Sequence, residues 1–523
     1  MKNIFQNIKG TRPRTNVFDL SHEAKLSCNM GQLIPMYLEE IVPGDQFKVN
    51  SEIMLRLAPM LAPVMHRVNV YTHYFFVPNR LTWNEWESFI TGGEAGDEAP
   101  TFPQISVNDA KKAYFAKGRV PDYFGIPTMD STTVTDSTTI SALPFRAYQM
   151  IYNEYFRDQN VEGKVPFSIG GTVETDDYNK LTTIRKRAWE KDYFTSALPW
   201  AQRGGDVSLP ISSELQITPD DYIVPARALY SAGGAGGPGN LETAASGNVN
   251  VNDGTATEVK LLNLKTTPFD IDNTSVTINE LRTSVKLQQW LEKNARGGSR
   301  YIEQIFSHFG EKSSDARLQR PEYLGGGKSP VVISEVLNTA GVTGDNVQGE
   351  MAGHGISVGK TNTFNKKFEE HGYILGIMSV LPRTAYQNGI ERTFSKFDKF
   401  DYFWPEFAHL GEQEILQQEI QYKVDATSGT GADTFGYQSR YAEYKYKQSK
   451  VAGDFRDNLA FWHMGRIFDP SAGAVALNST FVKSDPTHRI FAVDDPDIHK
   501  LYVQIFNDVK AKRPMPYFAT PQL

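Results

Sequence analysis

The chain is poor in cysteine. Cys28 stands alone among 523 residues, so neither a disulfide framework nor a cysteine metal cluster is available. That usage fits a reducing compartment such as a bacterial cytoplasm. Long apolar runs are also missing. The most apolar window of the second half, residues 373–381, is far too short to cross a bilayer. The opening MKNIFQNIKG has no continuous apolar segment, which predicts a protein that is neither exported by a standard route nor inserted in a membrane. Positive charge is not in excess: 54 Lys and Arg face 61 Asp and Glu, a net charge of −7. Bulk electrostatic binding of nucleic acid is excluded, and any such contact must be local. The ten histidines contain no H-E-x-x-H pair, and His66 and His73 fall on opposite faces of one predicted strand. No base, nucleophile and orienting group come together, and no metal or cofactor site is indicated. Finally, residues 231–268 hold no aromatic side chain, although aromatics make up 12% of the whole.

What is present favours β structure. Gly 42 and Pro 28 imply many turns, and 40% hydrophobic residues allow a sizeable core. Residues 64–77 place Val64, Val68, Val70, Tyr74 and Phe76 on one face against Arg67, Asn69 and His73, predicting a half-buried strand. Pro78 ends it, and Thr82 then N-caps a helix carrying Trp83, Trp86, Phe89 and Ile90 up to Gly92. Earlier, residues 26–57 predict two strands, the second with Phe47, Val49, Ile53, Leu55 and Leu57 in odd register. Residues 108–116 carry a weak helical signal, and Pro144 opens a helix with a core-facing stripe of Phe145, Tyr148, Ile151, Tyr152 and Tyr155. The cluster Arg185, Lys186, Arg187 predicts a solvated face, with an inward DNA-facing patch as the other reading. Helices return over 279–294, capped by Asn279, and 299–309, ended by Gly310. After Pro330 the segments VVISEVL, YILGIMSVLP, EILQQEIQYKV and SRYAEYKYK predict strands. Strand signal at both ends of the chain predicts an antiparallel β-sandwich with a Greek-key-like closure. The chain divides into a basic arm (1–20), a first β part with helical insertions (21–206), a variable insertion (207–277) and a second β part with a C-terminal tail (278–523).

Several motifs fail on context. GISVG at 355–359 has the form of a nucleophile elbow, but no helix signal follows it. GGGKS at 325–329 lacks the first P-loop glycine, having Glu322 there, and Pro330 blocks the helix. Asp494, Asp495 and Asp497 spell an exposed turn more readily than a calcium loop. Two basic segments remain. Lys2, Lys9, Arg12 and Arg14 lie in an acid-free stretch of the first 17 residues. Lys510, Lys512 and Arg513 precede Tyr517 and Phe518, cations for phosphates beside rings for base stacking. A frayed start and a docked tail would read the same way.

The stretches LIPMYLEEIVPGDQF, YFFVPNRLTW, NEYFRDQN, DYFTSALPWAQRG, RPEYLGGGKSPVVISEVLNT, HGYILGIMSVLPR and FAHLGEQEI, in this order, resemble the major capsid proteins of microviruses, nearest the gokushovirus branch. The resemblance implies an eight-stranded antiparallel jelly roll with long, partly helical interstrand insertions. Sixty copies would form a T=1 icosahedral shell around circular single-stranded DNA. Scaffolding, DNA-pilot and small DNA-binding proteins would be partners, and the virion, assembled in the bacterial cytoplasm, the location. The seven cations above, with Tyr517 and Phe518, would face the DNA. The insertion, sampled by Ala232, Gly236, Gly239, Asn248 and Asn252, would project outward at the threefold axes and serve host attachment. A carbohydrate-binding, adhesin-like β protein and a jelly-roll hydrolase are the other classes. Only the capsid reading demands a nuclease-protecting particle of megadalton scale.

Overall fold

The computed structural model describes residues 14–93, 97–128, 138–205, 228–230, 241–243, 249–251, 259–261, 278–297, 301–310, 314–337, 351–360, 363–422, 433–493 and 495–518. Two compact units result, Gly204–Leu291 and the rest of the chain.

The larger unit is built on a ten-stranded sheet: β1 (Asn16–Asp19), β2 (His22–Cys28), β3 (Ile34–Ile41), β4 (Gln46–Leu57), β5 (Val68–Pro78), β6 (Glu322–Leu337), β7 (Met351–Lys360), β8 (Phe364–Lys367), β9 (Gly372–Pro382) and β10 (Leu501–Arg513). All their pairings are antiparallel, in the order β1-β10-β4-β7-β6-β5-β9-β3. β2 continues the edge begun by β1 along β10, and β8 does the same beside β7 along β4. Strands from both ends of the chain thus meet in one curled sheet, mainly β and consistent with a sandwich. The curl encloses a core of Met36, Phe47, Val49, Leu55, Tyr74, Ile374, Val503 and Ile505, among others.

β5 begins later than the sequence pattern predicts and is buried on both faces. Val68, Val70, Tyr74 and Phe76 point into the sheet core. Phe75 and Val77 point the other way, into a second core with Phe145, Tyr148, Ile151 and Tyr152. Phe145, Tyr148 and Ile151 come from the helix Leu143–Ile151, which has Pro144 in its first turn as expected, and Tyr152 opens the π-helical turn Tyr152–Phe156 that follows. A helical layer covers what alternation alone marks as a wet face.

Other expectations need correction. Thr82 closes the short helix Asn79–Thr82, its hydroxyl donating to the Asn79 carbonyl (2.9 Å), rather than capping the next one. That next helix, Trp86–Thr91, does end on Gly92 at φ 80°. Residues 185–187 are only partly solvated: Arg185 donates to Gln149 Oε1 (2.9 Å), Arg187 to Ser379 Oγ (3.0 Å), and Lys186, its side chain 39% exposed, pairs with the exposed Asp485 (2.6 Å). The segment EILQQEIQYKV is strand only through Leu416, then helix Gln417–Ile420. SRYAEYKYK leaves its strand at Ser439 and enters the helix Ala442–Lys445 through Tyr441 at φ 61°. The first of the two later helices runs Ile278–Gly297, so Asn279 lies inside it, and the second is Tyr301–Phe309, with Gly310 at φ 72°. The supposed C-terminal tail is the largest difference, because its cations lie on β10, a 13-residue strand.

In the smaller unit, Ala228–Tyr230 pairs with Val259–Leu261, and Leu241–Thr243 with Val249–Val251, one antiparallel pair nested inside the other. The strands at 249–251 and 259–261 therefore pair with earlier segments and not with each other. Ala232, Gly236, Gly239, Asn248 and Asn252 lie outside the described residues.

Candidate nucleic-acid interface

β10 alternates cleanly. Leu501, Val503, Ile505, Val509 and Ala511 point into the core, while Tyr502, Phe506, Lys510 and Lys512 are exposed on the opposite face. β4 has the same polarity: its odd residues fill the core and Lys48 and Arg56 are exposed. Register then sets the neighbours. Lys510 lies opposite Lys48 on β4 and opposite Asp19 on β1, and Lys512 lies opposite Gln46 and Val17. On β8, Lys367 pairs with Gln46, adding a further exposed cation to the row. Like charges directly opposed across two strands are unfavourable unless an anion lies between or beside them. Asp19 supplies part of that compensation: its carboxylate takes the Lys510 ammonium and a Ser21 hydroxyl, which hold its pKa down at about 2. Asp508 stands 4.0 Å from the same lysine.

The segment after β10 folds back over β1. The Tyr517 hydroxyl donates to the Val17 carbonyl (2.7 Å), its ring lies 5.2 Å from Phe18, and Asn16 Nδ2 donates to the Met515 carbonyl (2.6 Å). Phe518 is 85% exposed, and Arg14 is exposed just before β1. The structure therefore brings Arg14, Lys510, Lys512, Tyr517 and Phe518 to one corner of the sheet. Lys2, Lys9 and Arg12 lie outside the described residues. Arg513 does not share the exposed face. Its guanidinium donates to Glu39 Oε1 (3.1 Å) and the Glu40 carbonyl (2.6 Å), lies 3.5 Å from Asp45 and sits 5.0 Å from the Phe47 ring. Burial pushes both acid pKa values up, and the arginine works against that. Arg513 is held by acids of its own chain.

Sequence reasoning missed Lys48, Arg56, Lys367, Tyr502 and Phe506. The signal was present: the odd register that fills the core with Phe47 and Leu55 sends Lys48 and Arg56 outward, and LYVQIFNDVKAKR alternates just as well. The face sets ammonium groups beside exposed rings, with Asp19 and Asp508 against Lys510.

The motifs set aside earlier behave accordingly. GISVG lies along β7, where Ser357 is buried and donates to the Pro330 carbonyl (2.8 Å). GGGKS lies on β6, past a register shift between Tyr323 and Gly325. Asp495 Oδ1 accepts the Asp497 amide (2.9 Å) in a turn, while Asp494 lies outside the described residues. Among the described residues no three His, Cys, Asp or Glu side chains gather as a metal site, and no helix is long and apolar enough to cross a membrane.

The family model described as capsid protein (F protein) matches residues 6–523. The chain belongs to this phage capsid family. It is 35% identical to capsid protein VP1 of Chlamydia phage 1, covering 100% of this chain and 98% of that protein. Capsid protein VP1 of Bdellovibrio phage phiMH2K is 36% identical, with 99% and 97% covered, and that of Spiroplasma virus 4 is 29% identical with the same coverage. The microvirus resemblance of the seven quoted stretches is borne out. Membership in a capsid family implies a structural role, self-assembly into a shell and a place in the virion.

Proposed function

We propose that this protein is the major subunit of a T=1 icosahedral shell of sixty copies enclosing circular single-stranded DNA. The curled sheet is read as an eight-stranded jelly roll, with the remaining strands as edge additions. The observation that carries the reading is the near-complete coverage of both this chain and its capsid relatives. The exposed face of β4 and β10 is its DNA side. Lys48, Lys510 and Lys512 meet phosphates there, Arg14 and the arm with Lys2, Lys9 and Arg12 add charge, and Tyr517 and Phe518 stack on bases. A subunit of net charge −7 can hold a polyanion only through such a localised face. The insertion projects outward at the threefold axes and contacts the host surface. Scaffolding, DNA-pilot and small DNA-binding proteins assist assembly in the bacterial cytoplasm.

The test is expression with the assembly partners, followed by sedimentation, electron microscopy and nuclease challenge. Megadalton particles of uniform diameter that shield single-stranded DNA are expected. A monodisperse monomer under every condition tried, with scaffold present, would overturn the reading. Particles without nuclease-resistant DNA would remove its DNA half.

A further inference from the structure

Residues 392–406, RTFSKFDKFDYFWPE, place six aromatic side chains within eleven positions: Phe394, Phe397, Phe400, Tyr402, Phe403 and Trp404. All six are 46–90% exposed, Phe397 most of all. At roughly 200 Å² per ring, these exposures leave on the order of 700 Å² of ring surface in water. That sum over six side chains compares with about 300–600 Å² for the largest apolar patch of an ordinary monomer. It approaches the roughly 800 Å² that one partner gives to a standard interface.

The rings are held outward by polar ties beneath them. Lys396 forms a buried ion pair with Glu443 (3.0 Å) and lies 3.9 Å over the Tyr444 ring. The Asp401 carboxylate accepts the amides of Phe397 and Asp398, both at 2.9 Å. Trp404 Nε1 donates to the Lys399 carbonyl (2.8 Å). The Tyr441 hydroxyl donates to the Tyr402 carbonyl (3.2 Å) and accepts the Trp404 amide (3.3 Å). Phe403 packs edge-on against Tyr441 at 5.0 Å, and Arg392 anchors the start of the loop to Glu419 (3.2 Å). A loop fixed this way cannot fold its rings inward without breaking a buried ion pair, and it loses little further freedom on docking.

We infer that this aromatic loop is a contact between subunits, with a second copy of this chain as its occupant and Phe397 as its anchor. The inference rests on the shell reading above and adds the surface through which copies meet. Charge separates the alternatives. The loop has three bases (Arg392, Lys396, Lys399) and three acids (Asp398, Asp401, Glu406), so it lacks the positive excess that DNA requires. A sugar platform needs free hydrogen-bonding groups beside its rings, but Trp404 Nε1, Asp401 and Lys396 are engaged within the protein. A neutral, aromatic, preorganised patch of half-interface size suits another protein surface, and in a capsid protein the abundant one is itself.

The single cysteine makes the test direct. Cys28 is buried and its thiol is pushed up to about 12, so it does not label. Phe397→Cys then carries the one reactive thiol. Thr393→Cys, also exposed in the loop, keeps all six rings if the first variant assembles poorly. Maleimide labelling should be at least tenfold slower in particles than in dissociated subunits. A maleimide–benzophenone linker on that thiol should yield a band at twice the chain mass. Equal labelling rates in particles and subunits would overturn the inference while leaving the shell reading intact. Cross-links to a co-assembled protein, or protection of free subunits by bacterial polysaccharide, would overturn the second copy as occupant. Failure of the unsubstituted chain to form particles would strike the shell reading itself.

Discussion

His73 shows how a strand residue is shaped by two layers. It leaves β5 toward the helical side, with Phe156 at 5.8 Å and Tyr323 at 6.0 Å. Burial, reinforced by Arg187, lowers its pKa to about 4. The unfolded imidazole protonates near 6.5, so between those values the unfolded state binds the extra proton and stability falls as pH falls. Below about 4 both states are protonated and the loss levels off. At about 1.4 kcal/mol per unit, His73 accounts for up to about 3 kcal/mol of that slope. His73→Phe should flatten it, measured as the difference in urea midpoint from the parent between pH 7 and 4. A second residue-scale expectation concerns Asn507, wholly buried on β10. Its Oδ1 accepts the Ser51 hydroxyl at 2.6 Å, and Ser51 in turn accepts the Tyr74 hydroxyl. Asn507→Ala removes the acceptor at the centre of the sheet and should cost about 1–3 kcal/mol in chemical unfolding.

At the scale of elements, the outward row of β4 and β10 is under mild electrostatic tension because Lys48 opposes Lys510. Replacing Lys48, Lys510 and Lys512 by Gln should leave folding stability unchanged or slightly raised. The salt slope of single-stranded DNA binding should fall by about 2, near 0.7 for each lost phosphate contact. An unchanged slope would place the DNA elsewhere. The elements also show what the sequence made legible. Alternation marked β4 to within a residue, and the glycines at 92 and 310 marked helix ends, because those signals are local. The second face of β5 was not legible, since its cover comes from the helix at Leu143–Ile151, far along the chain. β10 was hidden by a different effect: its last three cations resemble a tail, and the preceding LYVQIFND was not read as part of the same strand. The turn after Leu416 depends on Glu419, whose carboxylate is buried against Tyr193 (2.8 Å) and reaches back to the Leu416 amide (3.0 Å). No local pattern announces a buried acid. The same holds for Tyr441, whose left-handed backbone is held by Gln413 Oε1 (3.1 Å) and by contact with Phe403.

At the scale of the whole molecule, Gly204–Leu291 form a compact unit of their own. Replacing residues 232–252 with a short linker should leave the thermal midpoint within about 2 °C and particles assembling, while attachment to host cells falls. A chain that no longer folds would show that the nested strands support the body. Of the candidate site, the sequence made the charge and rings near both ends legible, but not that the sheet brings the two ends to one corner. That convergence is a product of topology, which register determines and composition does not reveal.

The placement of β10 also has a consequence in time. Ser51 on β4 and Asn507 on β10 are 456 residues apart, yet they meet in the middle of the sheet. During synthesis, β4 emerges early and waits with one edge open while almost the entire remaining chain is made. A polypeptide cut short before residue 501 lacks the strand that joins β4 to β1 and β2, and with it Val503, Ile505 and Val509 of the core. Such a product should stay sensitive to protease and fail to enter particles. On that expectation, only subunits whose synthesis has passed β10 complete the sheet.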